Sequence, residues 1–232
     1  ALWILAVICP ALPGAAGERQ RTSSLLEREV ARQVSADGVS EEQASGYHIF
    51  VLEFLVQMIA LGRRHGAPLP AVIVDRARRM VEVLDALLGA GGEVPQIGDW
   101  DDGRAMPCFG MEDWRARAEA LVAVGARLLG VAIRPGRSPC PGLARLLLGD
   151  RDEAPPLRAL GSASFPLGGL AVSEVTTTGG GVLHTVMRVG GFGALVNAGH
   201  AHADLLSLVV RVNDQVLLGD LTRGGRPAAL EA

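Results

Sequence analysis

The sequence predicts a protein of two adjoining parts, a helical part followed by a part built from antiparallel strands. Up to about residue 148, apolar residues recur at intervals of three and four, and Pro or Gly separates the segments. From Ser162 the chain is rich in Gly, Val and Thr, with short apolar runs between glycine clusters. Such an order is typical of an α+β multidomain chain. We expect a helical domain over residues 1–155 and a β domain over residues 156–232.

Composition and charge exclude some classes of function. The 232 residues carry a net charge of -3 with both signs spread along the chain, which argues against a nucleic-acid partner. Cys9, Cys108 and Cys140 show neither metal-binding spacing nor a disulfide framework. The chain begins with Ala rather than Met. We therefore expect it to be a fragment, and its oligomeric state is not set by its sequence.

An apolar run opens the chain at Ala1 to Cys9, and the small residues 14–16 imitate a cleavage site. No basic segment precedes the run, and it is too short to span a bilayer. We predict a buried helix that ends at Pro10 and Pro13, and we predict no membrane insertion.

Further helices are predicted from capping signals and apolar periodicity. One follows a possible capping box at Ser24, and a second possible box at Ser40 opens a longer helix. The predicted segments after Ser24 are Glu41 to Arg64, Ala71 to Leu88, Glu112 to Val131 and a shorter helix after Pro141. On the Glu41 to Arg64 helix, His48 shares one face with Leu52 and Leu55. A lone histidine there is more often a core residue bonded to a carbonyl than a catalytic group.

Several carboxylates follow in the loop at residues 98–104. Asp99, Asp101 and Asp102 lie close together, but their spacing does not match a calcium-binding EF-hand. A solvated turn is the favoured interpretation. The loop could instead lie at the rim of a cleft, where Trp100 would offer a stacking face to a sugar.

The sequence predicts short strands in the second part of the chain. The predicted runs are Gly169 to Val175, Val182 to Val189, Gly193 to Asn197, Leu205 to Val212 and Gln215 to Leu218. Within Leu205 to Val212, alternate positions from Leu206 to Val212 are all apolar, so we expect that face to be the buried one.

An H-x-H-x-D pattern precedes that fourth run. In an extended segment His200, His202 and Asp204 point to one face, and a hairpin could bring Asp220 beside His202. Imidazoles and carboxylates are ligands suited to zinc. The alternative is a polar entry to a strand, in which hydrogen bonds satisfy each histidine.

Four short motifs, in order, resemble those of the heparinase II/III-like polysaccharide lyases. The motifs are residues 37–48 (DGVSEEQASGYH), 97–104 (IGDWDDGR), 199–207 (GHAHADLLS) and 217–220 (LLGD). The resemblance implies an α/α toroid, incomplete here, followed by the start of an antiparallel β-sandwich, with the substrate cleft between them. It implies a periplasmic or secreted location and an acidic, uronate-containing polysaccharide as substrate.

The resemblance also implies roles for individual residues. His48 and His200 would flank the scissile sugar, with ring separation within roughly 10 Å. His202 and Asp220 would hold a structural zinc ion, with Asp204 as a supporting group. The candidate substrate-binding residues are Glu42, Gln43, Trp100, Asp102 and Arg104.

The chain departs from the family pattern in ways that leave two functions open. The family's base is a tyrosine that lies after the toroid histidine, but Tyr47 is the only tyrosine here. His200 is the obvious substitute base and Tyr47 the weaker candidate. A further zinc ligand expected later in the family is also missing from this chain. We therefore expect a lyase acting by β-elimination, or alternatively a non-catalytic glycan-binding member that has lost the base.

Overall fold

The computed structural model describes residues 1–91, 93–100, 103–106, 113–149, 153–191, 193, 199–200, 205–213 and 215–219. Within these ranges, six helices are followed by five strands in one antiparallel sheet. The predicted order of helices before strands is therefore confirmed. A complete toroid and a second sheet remain expectations, as do the domain limits.

Within the described residues the helical part has six helices, and three of them form most of its core. The helices are α1 (Leu2–Ile8), α2 (Ala15–Gln33), α3 (Ser45–Arg64), α4 (Ala71–Leu88), α5 (Trp114–Leu129) and α6 (Pro141–Leu148). Apolar side chains of α3, α4 and α5 form the main core. By length and composition α3 could cross a membrane, but 67% of its most apolar window is buried inside the fold. Helix α3 therefore has the burial of a core helix.

Two predicted helix starts are wrong. Ser24 lies inside α2, where its hydroxyl donates to the carbonyl of Gln20. Helix α3 begins at Ser45 rather than Glu41, because Ser40 pairs with Val34 in an isolated β-bridge. The backbone then turns through Gln43, whose φ is +54°. Local pairing overrides the capping pattern that the sequence offered.

The sheet follows chain order, and its strands are hairpin neighbours. They are β1 (Ala163–Phe165), β2 (Leu170–Thr176), β3 (Val182–Arg188), β4 (Leu208–Val212) and β5 (Gln215–Leu218). Four of the five predicted runs correspond to β2, β3, β4 and β5. The remaining predicted run, 193–197, lies outside the described residues except for Gly193.

Strand β4 is shorter than predicted and faces the other way. Leu205 and Leu206 form a turn, with φ +64° at Leu206, so the strand starts at Leu208. Val209 and Arg211 are buried, whereas Leu208 is 37% exposed. The register explains this orientation, since Val209 lies opposite Val186 and Arg211 opposite His184 on the face that meets the helices.

The inward face of the sheet packs against the C-terminal half of α4. Val172, Val186 and Val209 form an apolar row, and Val83 and Leu87 of α4 belong to the same cluster. A polar row lies two residues away on the same face, made of Glu174, His184 and Arg211. All three are buried. The helical part and the sheet therefore share one packed junction.

Candidate active site

The candidate site lies where the start of α3, the loop 95–100 and residues 199–200 meet. Ser45, the first residue of α3, fixes this loop. Its hydroxyl donates to the carbonyl of Pro95 at 2.6 Å and accepts from the N–H of Ile97 at 2.9 Å. The indole N–H of Trp100 lies 3.2 Å from the same oxygen. Loop 95–100 is therefore anchored to the helix at several points.

The backbone of His200 is held against this loop. Its carbonyl accepts the N–H of Asp99 at 2.8 Å. Gly98 has φ +65°, and a Cβ built there would lie 2.4 Å from the carbonyl oxygen of His200. Only glycine permits this approach without movement, because any side chain would collide with backbone. Gly98, which belongs to the motif at residues 97–104, is therefore required by this close backbone contact.

The side chains of His200, Tyr47 and Asp99 come together. The rings of Tyr47 and His200 have centroids 4.1 Å apart, with their planes inclined by 39°. Nδ1 of His200 lies 3.5 Å from Oδ2 of Asp99, and both side chains are partly open to solvent, at 38% and 35%. Two of the three predicted catalytic residues therefore meet at a surface that a ligand can reach.

His48, the third predicted catalytic residue, is in a different environment. It is 3% exposed, and its Nε2–H donates to the carbonyl of Met80 at 3.0 Å. Burial lowers the pKa of His48 to about 4, although the hydrogen bond to Met80 opposes the shift. The imidazole is therefore neutral near pH 7. The geometry matches the alternative of a core histidine bonded to a carbonyl. The expected placement of His48 across a cleft from His200 stays a prediction.

Gln43 also has a structural position. It is buried, its Nε2 donates to the carbonyl of Gly168 at 3.1 Å, and its Oε1 lies 3.4 Å from Nε of Arg188. These contacts tie the entry of α3 to the sheet, and the expected contact of Gln43 with substrate stays a prediction. Glu42 is half-buried beside it, and its role stays a prediction.

Trp100 and Arg104 remain accessible candidates for binding a glycan. Trp100 packs against Trp114 with ring centroids 4.5 Å apart. The two indoles line an open cavity of about 500 Å³ together with polar residues, namely Glu93, Gln96, Asp113 and Arg115. Arg104 is exposed on the next loop. Asp102, between them in sequence, lies outside the described residues.

A buried ion pair between Arg117 and Glu53 contacts the loop that carries Arg104, and the sequence did not predict it. Arg117 donates to both carboxylate oxygens of Glu53, with 2.8 Å from Nη2 to Oε2, and also donates to the carbonyl of Gly103. Glu53 accepts the N–H of Ala105 at 2.9 Å. The pair therefore fixes the loop that carries Arg104. A carboxylate inside an apolar helix was the available signal, because a buried charge requires a partner.

The predicted metal site falls on residues that the structure does not describe. His202, Asp204 and Asp220 lie outside the described ranges. Among the residues that are described, no group of three or more His, Cys, Asp or Glu side chains could hold a metal ion. Zinc binding therefore stays a prediction.

Comparison with known proteins identifies related sequences and folds. Residues 1–108 match a family model described as Heparinase II/III N-terminus. Heparan sulfate lyase HepC from Pedobacter heparinus has a TM-score of 0.64 at 18% identity, over 92% of this chain and 30% of that one. A heparinase III gene product has a TM-score of 0.66 at 17% identity, over 94% of this chain and 31% of that one. No curated protein matches the sequence.

These matches cover overlapping parts of the chain. At such low identity the solved structures show the fold alone, and the chain spans less than a third of the length of either. The sequence match lies in the helical part, and the fold match extends across the sheet. The resemblance to the heparinase II/III-like family is therefore confirmed, in sequence over residues 1–108 and in fold over most of the chain.

Proposed function

We propose that this chain belongs to a polysaccharide lyase that cleaves an acidic, uronate-containing glycan by β-elimination. The observation that carries the proposal is the contact between Tyr47 and His200, with the Asp99 carboxylate beside the imidazole. Trp100, the residue that follows Asp99, lines a cavity together with Trp114. The similar solved proteins, a heparan sulfate lyase and a heparinase III, support the class of substrate.

The groups at the site suit the steps of a β-elimination. A base removes the C5 proton of the uronate, the electron pair forms the C4–C5 double bond, and the C4–O bond breaks. In our proposal the neutral imidazole of His200 takes the proton, and the phenol of Tyr47 donates a proton to the leaving oxygen. Negative charge develops on the uronate carboxylate during proton removal, so a nearby cation lowers the barrier. Arg104 is the exposed guanidinium that we assign to this carboxylate.

A non-catalytic glycan-binding protein is the second candidate. The family resemblance implies a tyrosine base after the toroid histidine, and no tyrosine follows Tyr47 in the given sequence, which favours this candidate. The Trp100 and Trp114 cavity would serve binding equally well. The two candidates differ in whether product forms.

The first prediction is that His200→Ala abolishes product formation without loss of folding. The full-length protein is incubated with a panel of acidic glycans, and the unsaturated uronate product is followed by its ultraviolet absorbance. We expect loss of at least about 100-fold in rate, the lower range for a general base. Since His200 is 38% exposed, the unfolding midpoint should stay nearly unchanged.

Other results would redirect the assignment. A fully active His200→Ala variant would remove this residue from the chemistry. A wild-type protein that binds a glycan of the panel but forms no product would support the binding function instead.

We further propose that His202 and Asp220 bind zinc, which metal analysis of the purified protein tests. We also propose that the protein is exported from the cytoplasm, which cell fractionation tests.

A further inference from the structure

The Nδ1 atom of His200 is shielded, although the residue as a whole is accessible. The side chain is 38% exposed, yet Nδ1 is buried from solvent and makes no hydrogen bond within the described residues. The carboxylate oxygen Oδ2 of Asp99 lies 3.5 Å away from it. A buried ring nitrogen is costly unless a polar group meets it. The Asp99 carboxylate, an acceptor, is the group placed to do so.

Asp99 itself is placed by the loop that the start of α3 anchors. Its N–H is bonded to the carbonyl of His200, so the two residues are joined through the backbone as well. The flanking residues are fixed too, since Gly98 closely contacts the His200 carbonyl and Trp100 bonds to Ser45. The fixed backbone of Asp99 therefore places its carboxylate close to the imidazole.

From this geometry we infer that Asp99 is a positioning residue that holds the His200 ring with Nδ1–H toward its carboxylate and Nε2 toward the glycan. The inference rests on the proposed function, in which His200 is the base. In neutral imidazole one nitrogen carries the proton and the other is the acceptor. A carboxylate accepts only, so it selects the tautomer protonated at Nδ1 and leaves the Nε2 lone pair for the C5 proton. The contact tightens from 3.5 Å when substrate excludes water, as catalytic hydrogen bonds often do.

Tyr47 restricts rotation of the His200 ring. Its ring lies 4.1 Å from that of His200 and is tilted against it, so it opposes rotation of the imidazole out of the plane set by Asp99. Orientation of a catalytic base by a carboxylate acceptor is a recurring device in enzymes that use histidine. Here the acceptor comes from the helical part of the chain and the base from the segment that precedes β4.

The test combines kinetics with a direct measurement of the tautomer. Asp99→Asn, Asp99→Ala and Asp99→Glu are made in the full-length protein, and Asp75→Asn on the exposed face of α4 is the matched control. We expect kcat to fall at least about tenfold in the Asn and Ala variants, part of the range a general base supplies. KM should stay within about twofold, and Asp99→Glu should recover part of kcat, because a longer carboxylate can still reach Nδ1. The Asp75→Asn variant should match wild type.

The second readout does not require activity. Nitrogen-15 spectra of the His200 ring should show the Nδ1–H tautomer in wild type and a shift toward the Nε2–H tautomer in Asp99→Ala, with unfolding midpoints that exclude a general loss of structure. Wild-type kcat in Asp99→Ala, or an unchanged tautomer, would overturn the positioning role. An inactive His200→Ala beside a fully active Asp99→Ala would refute this inference alone. An active His200→Ala would instead refute the proposed function.

Discussion

Burial decides the protonation state of single residues in this chain, as His48 shows. The folded-state pKa of His48 is about 4, below the ordinary 6.5, chiefly because burial disfavours the charged ring. Between those two values the unfolded chain binds more protons than the folded chain. His48 therefore contributes no destabilisation above pH 6.5 and destabilises the fold as the pH falls toward 4.

His48→Gln should accordingly flatten the pH dependence of stability. The glutamine amide can still donate to the Met80 carbonyl, but it does not titrate. Between pH 6.5 and 4 we expect the free energy of unfolding to fall less steeply in the variant, by about 1 kcal/mol per pH unit. Urea unfolding at several pH values measures both slopes. Equal slopes in the two proteins would show that His48 is not kept neutral by the fold.

Sequence reasoning located such residues better than it assigned their roles. The spacing of His48 to Leu52 and Leu55 placed it on the apolar face of α3, and burial follows from that face. Its partner, the Met80 carbonyl, is 32 positions away, and Arg117 is 64 positions from Glu53. Periodicity carries no information about pairs so far apart. His200 and Tyr47 were both candidates, but the loop that brings Asp99 to His200 could not be read from spacing.

At the scale of elements, the orientation of β4 is set by its neighbours rather than by its own pattern. The pattern predicts the face from Leu206 to Val212 as the inward one, but Leu205 and Val209 make the other face partly apolar as well. Pairing with β3 places Val209 and Arg211 toward α4, where Arg211 donates to the carbonyl of Glu93. A buried arginine is an exception to the rule that charged residues lie toward solvent, so the sequence does not predict this orientation.

Two adjacent valines of β4 test this orientation. Val209→Ala removes methyl groups from the apolar row against Val186 and should destabilise the fold by about 1–3 kcal/mol. Val210→Ala makes the same change on the opposite, half-exposed face and should cost clearly less. Chemical denaturation of both variants gives the comparison. A larger loss for Val210→Ala would mean that the face first expected from the sequence is the buried one.

At the scale of the whole molecule, a buried ionic network at the end of α4 connects the helical part with the sheet. Asp85 is fully buried and accepts from Nε of Arg137 at 3.0 Å and from Nε of Arg158 at 2.6 Å. Arg158 also lies 3.7 Å from Glu174 of β2, and Arg134 bonds to that same carboxylate. The network therefore connects a helix, the segments that follow α5 and α6, and the sheet.

His184 shows how closely the two parts approach each other there. Its Nε2–H donates to the carbonyl of Ala86 in α4 at 2.9 Å. Gly89, with φ +53°, ends the helix, and a Cβ there would lie 2.6 Å from the His184 ring. Burial, with added repulsion from nearby arginines such as Arg211, lowers the pKa of His184 to about 4. The junction of α4 with the sheet is therefore tightly packed. Substitutions of His184, Asp85 or Gly89 would disturb its buried contacts.

Asp85→Ala should therefore loosen the sheet from the helices as well as lower overall stability. The change leaves Arg137 and Arg158 without their shared carboxylate, and removing one member of a buried ionic group costs about 3–5 kcal/mol. Hydrogen exchange in wild type should give similar opening free energies for α4 and for β2 to β4, because they share one packed junction. In Asp85→Ala the strand amides should exchange at a lower free energy than those of α3, which lies in the main core.

Asp75→Ala on the exposed face of α4 is the control. It should change neither the overall stability nor the difference in exchange by more than about 0.5 kcal/mol. Strands that keep wild-type protection relative to α3 would show that the apolar row, not the ionic network, carries the coupling between the two parts.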